Sequence, residues 1–151
     1  MAGLDLFLLV FVVYYTIKFL RHYYKFKKYG GEKLDSFSNK FGSNIFMIGF
    51  FVVFSLLNLS WSSNSSRIHP ILFQLLLIAE LIEHVGRVRI YSNGIFYGGK
   101  FITWSEIDIV RKLDSRVQIQ IKNRWLGLID FGKMKREKEL LDLIESKLEK
   151  G

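Results

Sequence analysis

The chain contains no cysteine, a single proline and only three histidines. Without cysteine there is no disulfide scaffold, no thiolate metal site and no cysteine nucleophile. His22, His69 and His84 lie on separate segments, so no Ser-His-Asp arrangement can be assembled from residues on one side of a membrane. No His-Glu-x-x-His occurs, and position 80 is Glu where the inverted zinc-protease pattern needs His. There is no phosphate loop. Gly94, Gly98 and Gly99 lack dinucleotide-binding spacing and read as turn residues. Internal repeats, low-complexity tracts and long Gly/Ser linkers are also missing. These absences leave no catalytic residues to name. The expectation is a non-enzymatic protein with no cofactor and no metal.

What the chain has instead is apolar and basic surface. Half of its 151 residues are hydrophobic, 16% are aromatic, and Phe alone occurs 14 times. That content excludes a disordered chain. The formal charge is +8, from 22 Lys and Arg against 14 Asp and Glu. The apolar residues crowd into the first 85 positions, which does not suit a uniform soluble globule.

Three segments read as transmembrane helices. Residues 3–20 carry only Asp5 and Lys18 as charges, both near the ends. At 1.5 Å per residue this length approaches a hydrocarbon core of roughly 30 Å. A cleaved signal peptide is the competing reading. It lacks a preceding basic segment and a following small-residue cleavage site, where Tyr23 and Tyr24 stand instead. Residues 41–61 are uncharged and close on Trp61, a suitable interfacial anchor. Residues 68–85 place Pro70 in a first helical turn, where its missing N–H costs nothing. Glu80, Glu83 and His84 make their end polar, which leaves an interfacial helix as the alternative. Gly42, Ser43, Gly49 and Ser55 are the small residues through which the second span would meet a neighbouring helix.

Basic residues set the predicted topology. The loop 21–40 holds Arg21, Lys25, Lys27, Lys28, Lys33 and Lys40 against Glu32 and Asp35, whereas residues 62–66 carry no charge. Lys and Arg accumulate on the cytoplasmic side. The expectation is a multi-pass protein of a prokaryotic cytoplasmic membrane, N-terminus out and C-terminal domain in. Arg21, Lys25, Lys27 and Lys28 are the candidate lipid-headgroup residues, each worth about 1 kcal/mol beside an anionic leaflet. The same charges serve equally well as topology determinants alone.

From Gly86 the pattern changes. Val88 and Ile90 alternate with Arg87, Arg89 and Tyr91, a strand period. Asn93-Gly94 is a hairpin signal, because both residues tolerate positive φ. Gly98-Gly99 turns the chain again. Strands follow over 95–97, 100–104, 107–113, 116–122 and 125–131, with Ser105 capping a single helical turn. From Met134 the period becomes helical, with Leu140, Leu141, Ile144 and Leu148 in one stripe. Trp104, Trp125, Phe96, Phe101 and Phe131 are the large candidate core pieces.

The run from Tyr91 to Ile107, YSNGIFYGGKFITWSEI, resembles the core pattern of prokaryotic pleckstrin-homology-like domains. The resemblance covers roughly residues 86–149 and extends to small membrane proteins in which apolar spans precede such a domain. It implies a partly open barrel capped by a C-terminal helix and assigns no catalytic residues. This segment is shorter than a full pleckstrin-homology domain.

The expected fold is therefore an integral membrane region of three transmembrane helices (3–20, 41–61 and 68–85, within residues 1–85). A small α+β cytoplasmic domain follows over 86–151, an antiparallel PH-like partial barrel or curved sheet with a C-terminal helix at 134–149. This domain carries 14 basic side chains against 9 acidic ones. Arg111, Lys112, Arg116, Lys122, Arg124 and Trp125 are its candidate ligand- or partner-binding residues. Glu80, Glu83 and His84 are candidate intramembrane polar residues, with Glu80 and His84 on one helix face. The expected function is a scaffold or accessory subunit whose domain binds a protein partner or anionic lipid. The alternative is a ligand-gated oligomeric effector, for example in anti-phage defence, sensing a phosphorylated or cyclic-nucleotide messenger. Expected partners are membrane lipids and either further copies of the chain or another membrane protein; nucleic acid is not expected.

Overall fold

The computed structural model describes residues 2–40, 45–61, 68–84, 86–124 and 127–149. Four helices and seven strands follow in the order α1 (Ala2–Tyr29), β1 (Lys33–Phe37), α2 (Ile45–Trp61), α3 (Ile68–His84), β2 (Val88–Tyr91), β3 (Gly94–Tyr97), β4 (Lys100–Thr103), a 3-10 turn (Trp104–Glu106), β5 (Ile107–Leu113), β6 (Arg116–Ile121), β7 (Leu128–Lys133) and α4 (Glu137–Leu148).

The expectation of three transmembrane helices is corrected. Among the described residues only Gly3–Tyr29 is long and apolar enough to cross a membrane. α2 and α3 have 17 residues each, about 25 Å of helix, which falls short of the hydrocarbon core. Residues 41–44 and the loop 62–67 lie outside the described residues. The predicted orientation counted alternating sides over three spans, and that count no longer holds. α1 also does not stop at residue 20. It runs nine residues further, to Tyr29, and is about 42 Å long. Lys18, Arg21 and the following basic residues are strong helix formers, so nothing in this stretch breaks the helix before Gly30 and Gly31.

The segment read as a basic loop over 21–40 contributes a strand as well. β1 pairs antiparallel with β2, heading a four-stranded sheet of order β1-β2-β3-β4. A second antiparallel sheet has the order β5-β6-β7. The described residues thus hold seven strands, one drawn from before α2. Residues beyond β1 reach the second sheet at an Asn39–Met134 bridge. There the Lys40 N–H donates to the Lys133 carbonyl at 2.7 Å and Asn39 Nδ2 donates to the Phe131 carbonyl at 2.9 Å. On the other flank the 3-10 turn leads directly from β4 into β5, and side chains of both sheets share one buried cluster. The two sheets therefore face each other around one core.

That core takes the inward-facing residues of both sheets. Phe37, Ile90, Ile95, Val117, Ile119 and Phe131 are all essentially sealed from solvent. α4 closes it with Leu140 and Ile144, while Leu141 and Leu148 pack at its margin. Of the expected large pieces, Phe101 and Phe131 are buried and Trp104 lies against the core. Phe96 turns to the opposite face of its sheet, and Trp125 lies outside the described residues.

Two turns depart from the sequence reading. Ser92 and Asn93 form the β2–β3 turn, and neither Asn93 nor Gly94 has a positive φ. Gly94 is required for space instead, since a Cβ there would stand 2.2 Å from the Ile102 carbonyl oxygen. The 3-10 turn is capped by Thr103 rather than Ser105. Glu106 Oε2 accepts from the Thr103 N–H and hydroxyl, both at 2.9 Å.

Candidate functional site

The side chains of α1 sort into two faces, and this sorting builds the principal site. On one face, Asp5, Leu8, Val12, Tyr15, Phe19, His22 and Phe26 recur at alternating spacings of three and four, all buried or half-buried. Such spacing aligns a continuous seam along a helix. Its first part packs along α3. Asp5 meets His69 Nδ1 at 2.9 Å, and the Tyr15 hydroxyl donates to Glu80. α2 lies on the other side of α3, where Asn58 Nδ2 donates to the Pro70 carbonyl at 2.8 Å and Gln74 Nε2 to Ser55 Oγ at 3.0 Å.

The second part of the seam packs on the four-stranded sheet. Phe26 sets its ring edge-on against Tyr91, Phe96 and Phe101, with centroids 4.8, 5.2 and 5.5 Å away. Such pairs add to the burial of apolar area. The Phe101 N–H donates to His22 Nδ1 at 3.3 Å. This sheet is covered on both faces, by the β-domain core and by α1.

Between these two parts lies a knot of charge. Glu83, 11% exposed, pairs with Lys18 of α1 and sits 3.4 Å from Lys100 Nζ of β4. The β3–β4 turn fits beneath it. Gly98 and Gly99 have φ of +56° and +70°, a conformation that glycine adopts at no steric cost. A Cβ on Gly98 would meet the Glu83 carbonyl oxygen at 2.6 Å, and one on Gly99 would meet the Phe19 ring at 2.7 Å. One step further along α1, Lys25 pairs with Glu106. Burial alone would raise the Glu106 carboxyl, but the Lys25 ammonium and the two Thr103 donors outweigh it and hold it below its ordinary value.

Of the predicted intramembrane residues, Glu80 and Glu83 thus enter the junction and His84 ends α3. The sequence reading missed their partners, Tyr15 for Glu80 and Lys18 and Lys100 for Glu83. For Tyr15 and Lys18 the signal was polar groups at helical spacing inside an apolar run; Lys100 of β4 carried no such signal. Among the described residues no group of three or more His, Asp or Glu could hold a metal ion.

The predicted headgroup residues differ in their partners. Lys25 reaches inward to Glu106, whereas Arg21, Lys27 and Lys28 are exposed. The predicted partner-binding residues divide as well. Lys112 turns toward α4 and pairs with Glu137 at 3.0 Å. Arg116 pairs with Asp130 at 3.0 Å. Burial would raise Asp130, but donors from Gln118, the Gly132 N–H and Arg116 outweigh it and hold it low. Arg111, Lys122 and Arg124 are exposed and have no ion-pair partner among the described residues. Trp125 lies outside them.

Strand register shows what surrounds Arg111. Ile109, Gln120 and Leu128 form one row across β5, β6 and β7, and Arg111, Gln118 and Asp130 form the next. This is the outer face of the three-stranded sheet, away from Val117 and Ile119. Ile109, Leu113 and Leu128 are exposed on it. No family model, curated protein or solved structure matches this chain.

Proposed function

We propose that the chain is a non-enzymatic, membrane-anchored docking protein, a scaffold or accessory subunit whose β domain presents a binding face to a partner protein. One observation carries this reading. The helix long enough to cross a membrane is the same helix that clamps the four-stranded sheet through His22 and Phe26, and the adjoining 3-10 turn through Lys25. A domain held this way cannot swing free of its anchor.

The binding face is the outer surface of β5-β6-β7. It combines the apolar side chains Ile109, Leu113 and Leu128 with Arg111, and with Lys122 and Arg124 at the β6–β7 end. Apolar area supplies affinity, while unpaired basic groups select an acidic complement. Replacing Leu128 with a photo-crosslinking phenylalanine, in cells, should give one product of discrete mass that Arg111→Glu abolishes. A product of twice the chain mass would name a second copy as the partner. Absence of a discrete product, or one indifferent to Arg111→Glu, would remove this face from the reading.

A further inference from the structure

Opposite the packed seam, α1 carries a second stripe. Leu6, Val10, Val13, Ile17 and Leu20 follow one another on this face and are all largely exposed. The same stripe then changes character within one residue. Arg21, Tyr24 and Lys28 continue it, flanked by Tyr23 and Lys27, and Tyr24 is 75% exposed. The apolar part, Gly3 to Leu20, covers about 27 Å of helix. The basic and aromatic part begins where a hydrocarbon core of roughly 30 Å gives way to headgroups.

The inward and outward basic residues have different fates. Lys18 and Lys25 are neutralised by Glu83 and Glu106. Arg21, Lys27 and Lys28 have no carboxylate partner among the described residues; Lys28 lies over the Tyr29 ring, 5.1 Å from its centroid. Tyr23 and Tyr24 lie on the same stretch of α1 and are exposed, and tyrosine rings favour the membrane–water boundary.

We propose that Arg21, Lys27 and Lys28, with Tyr23 and Tyr24, form a docking face for anionic phospholipid headgroups. The observations favour lipid over an acidic protein because the charges directly continue an exposed apolar stripe, which fixes their depth at the headgroup layer. The proposal rests on the reading of α1 as membrane-embedded. Lys25, placed in the headgroup set by its position in sequence, takes no part. Each cation beside an anionic leaflet strengthens the attraction to it about fivefold, and salt screens that attraction.

The test uses the full chain reconstituted into vesicles of phosphatidylcholine alone and into vesicles of equal parts phosphatidylcholine and phosphatidylglycerol. Lipid retained after gentle extraction from the mixed vesicles is counted by native mass spectrometry. The wild type should retain phosphatidylglycerol several-fold above its bulk share, less so at high salt. Arg21→Gln/Lys27→Gln/Lys28→Gln should abolish the enrichment, while Lys25→Gln should preserve it. Should the triple variant fail to incorporate, the salt dependence of the wild type decides the question. Retention at the bulk ratio, enrichment unchanged by salt, or enrichment kept by the triple variant would overturn the headgroup face. Failure of the wild type to incorporate into phosphatidylcholine vesicles would instead overturn the membrane reading beneath it.

Discussion

On α2, Phe46 is 78% exposed, and Ile45, Val53, Leu56 and Leu57 beside it are exposed as well. In the β domain, Phe37, Phe101 and Phe131 are fully buried, as are Ile90, Ile95 and Ile119. The residue types are the same, but the direction in which they point is reversed. The interior of the helical layer is where its polar contacts are found: Tyr15 with Glu80, Gln74 with Ser55, Asn58 with the Pro70 carbonyl. The β domain follows the usual rule of apolar inside and charge outside. Exposed apolar surface on this scale marks an interaction site, with lipid or protein in contact. The two regions are thus built for two surroundings, and α1 joins them by taking part in both.

This contrast has consequences that rank by size. Phe131→Ala removes a ring sealed between the sheets, 5.0 Å from Tyr97, and should destabilise the β domain by about 3–5 kcal/mol. Phe46→Ala should change β-domain stability by no more than about 0.5 kcal/mol. Hydrogen exchange of the slowest β-domain amides measures both. Equal effects would erase the distinction between the two regions.

The next effect lies where the regions meet. Glu83→Ala leaves Lys18 and Lys100 without their shared carboxylate and should cost about 2–3 kcal/mol at the junction. Exchanging the charges, Lys18→Glu with Glu83→Lys, should recover part of that loss. Gly98→Ala follows, at about 2 kcal/mol, since its φ of +56° suits glycine and its Cβ would press on the Glu83 backbone. In both cases exchange should quicken in α3 and the β3–β4 turn while β5–β7 stays protected. Uniform quickening would mean that the junction is not a separable joint.

The smallest effect is acid loosening of the Lys25–Glu106 clasp. The folded carboxyl titrates below its ordinary value, so its contribution is complete above that value and fades as pH falls through the folded pKa. Because the pair is partly exposed, the loss is a fraction of a kcal/mol, on the order of a surface ion pair. Glu106→Gln should remove this portion of the acid dependence, read from exchange in β4. An unchanged acid profile would assign it to other carboxylates.

Much of the β domain was legible because its signals are local. Alternation in Val117, Ile119 and Ile121 marks β6, and the stripe through Leu140 and Ile144 marks α4. β1 was hidden because Lys33, Leu34, Asp35, Ser36 and Phe37 bury one end only, and its partner β2 lies beyond two intervening helices. The candidate headgroup residues were read by position along the sequence, and the helix period alone does not divide them: Arg21, Lys25 and Lys28, four and then three residues apart, share a side of α1, and it is the Glu106 carboxylate that draws Lys25 inward. What the sequence could not supply is the pairing across the junction. Lys18 with Glu83 and Lys25 with Glu106 join residues 65 and 81 positions apart, which no local pattern encodes.

The absence of cysteine allows the central claim to be tested with single spin labels on an otherwise unaltered chain. Labels at Leu6→Cys, Val13→Cys, Leu20→Cys, Tyr24→Cys and Lys28→Cys follow the outward stripe of α1 in phosphatidylcholine vesicles. The account predicts high collision rates with oxygen and low rates with a water-soluble nickel complex at the first three positions, with the ratio reversing at the last two. High nickel accessibility at Leu6, Val13 and Leu20 would place this face in water and contradict a helix built to lie in lipid.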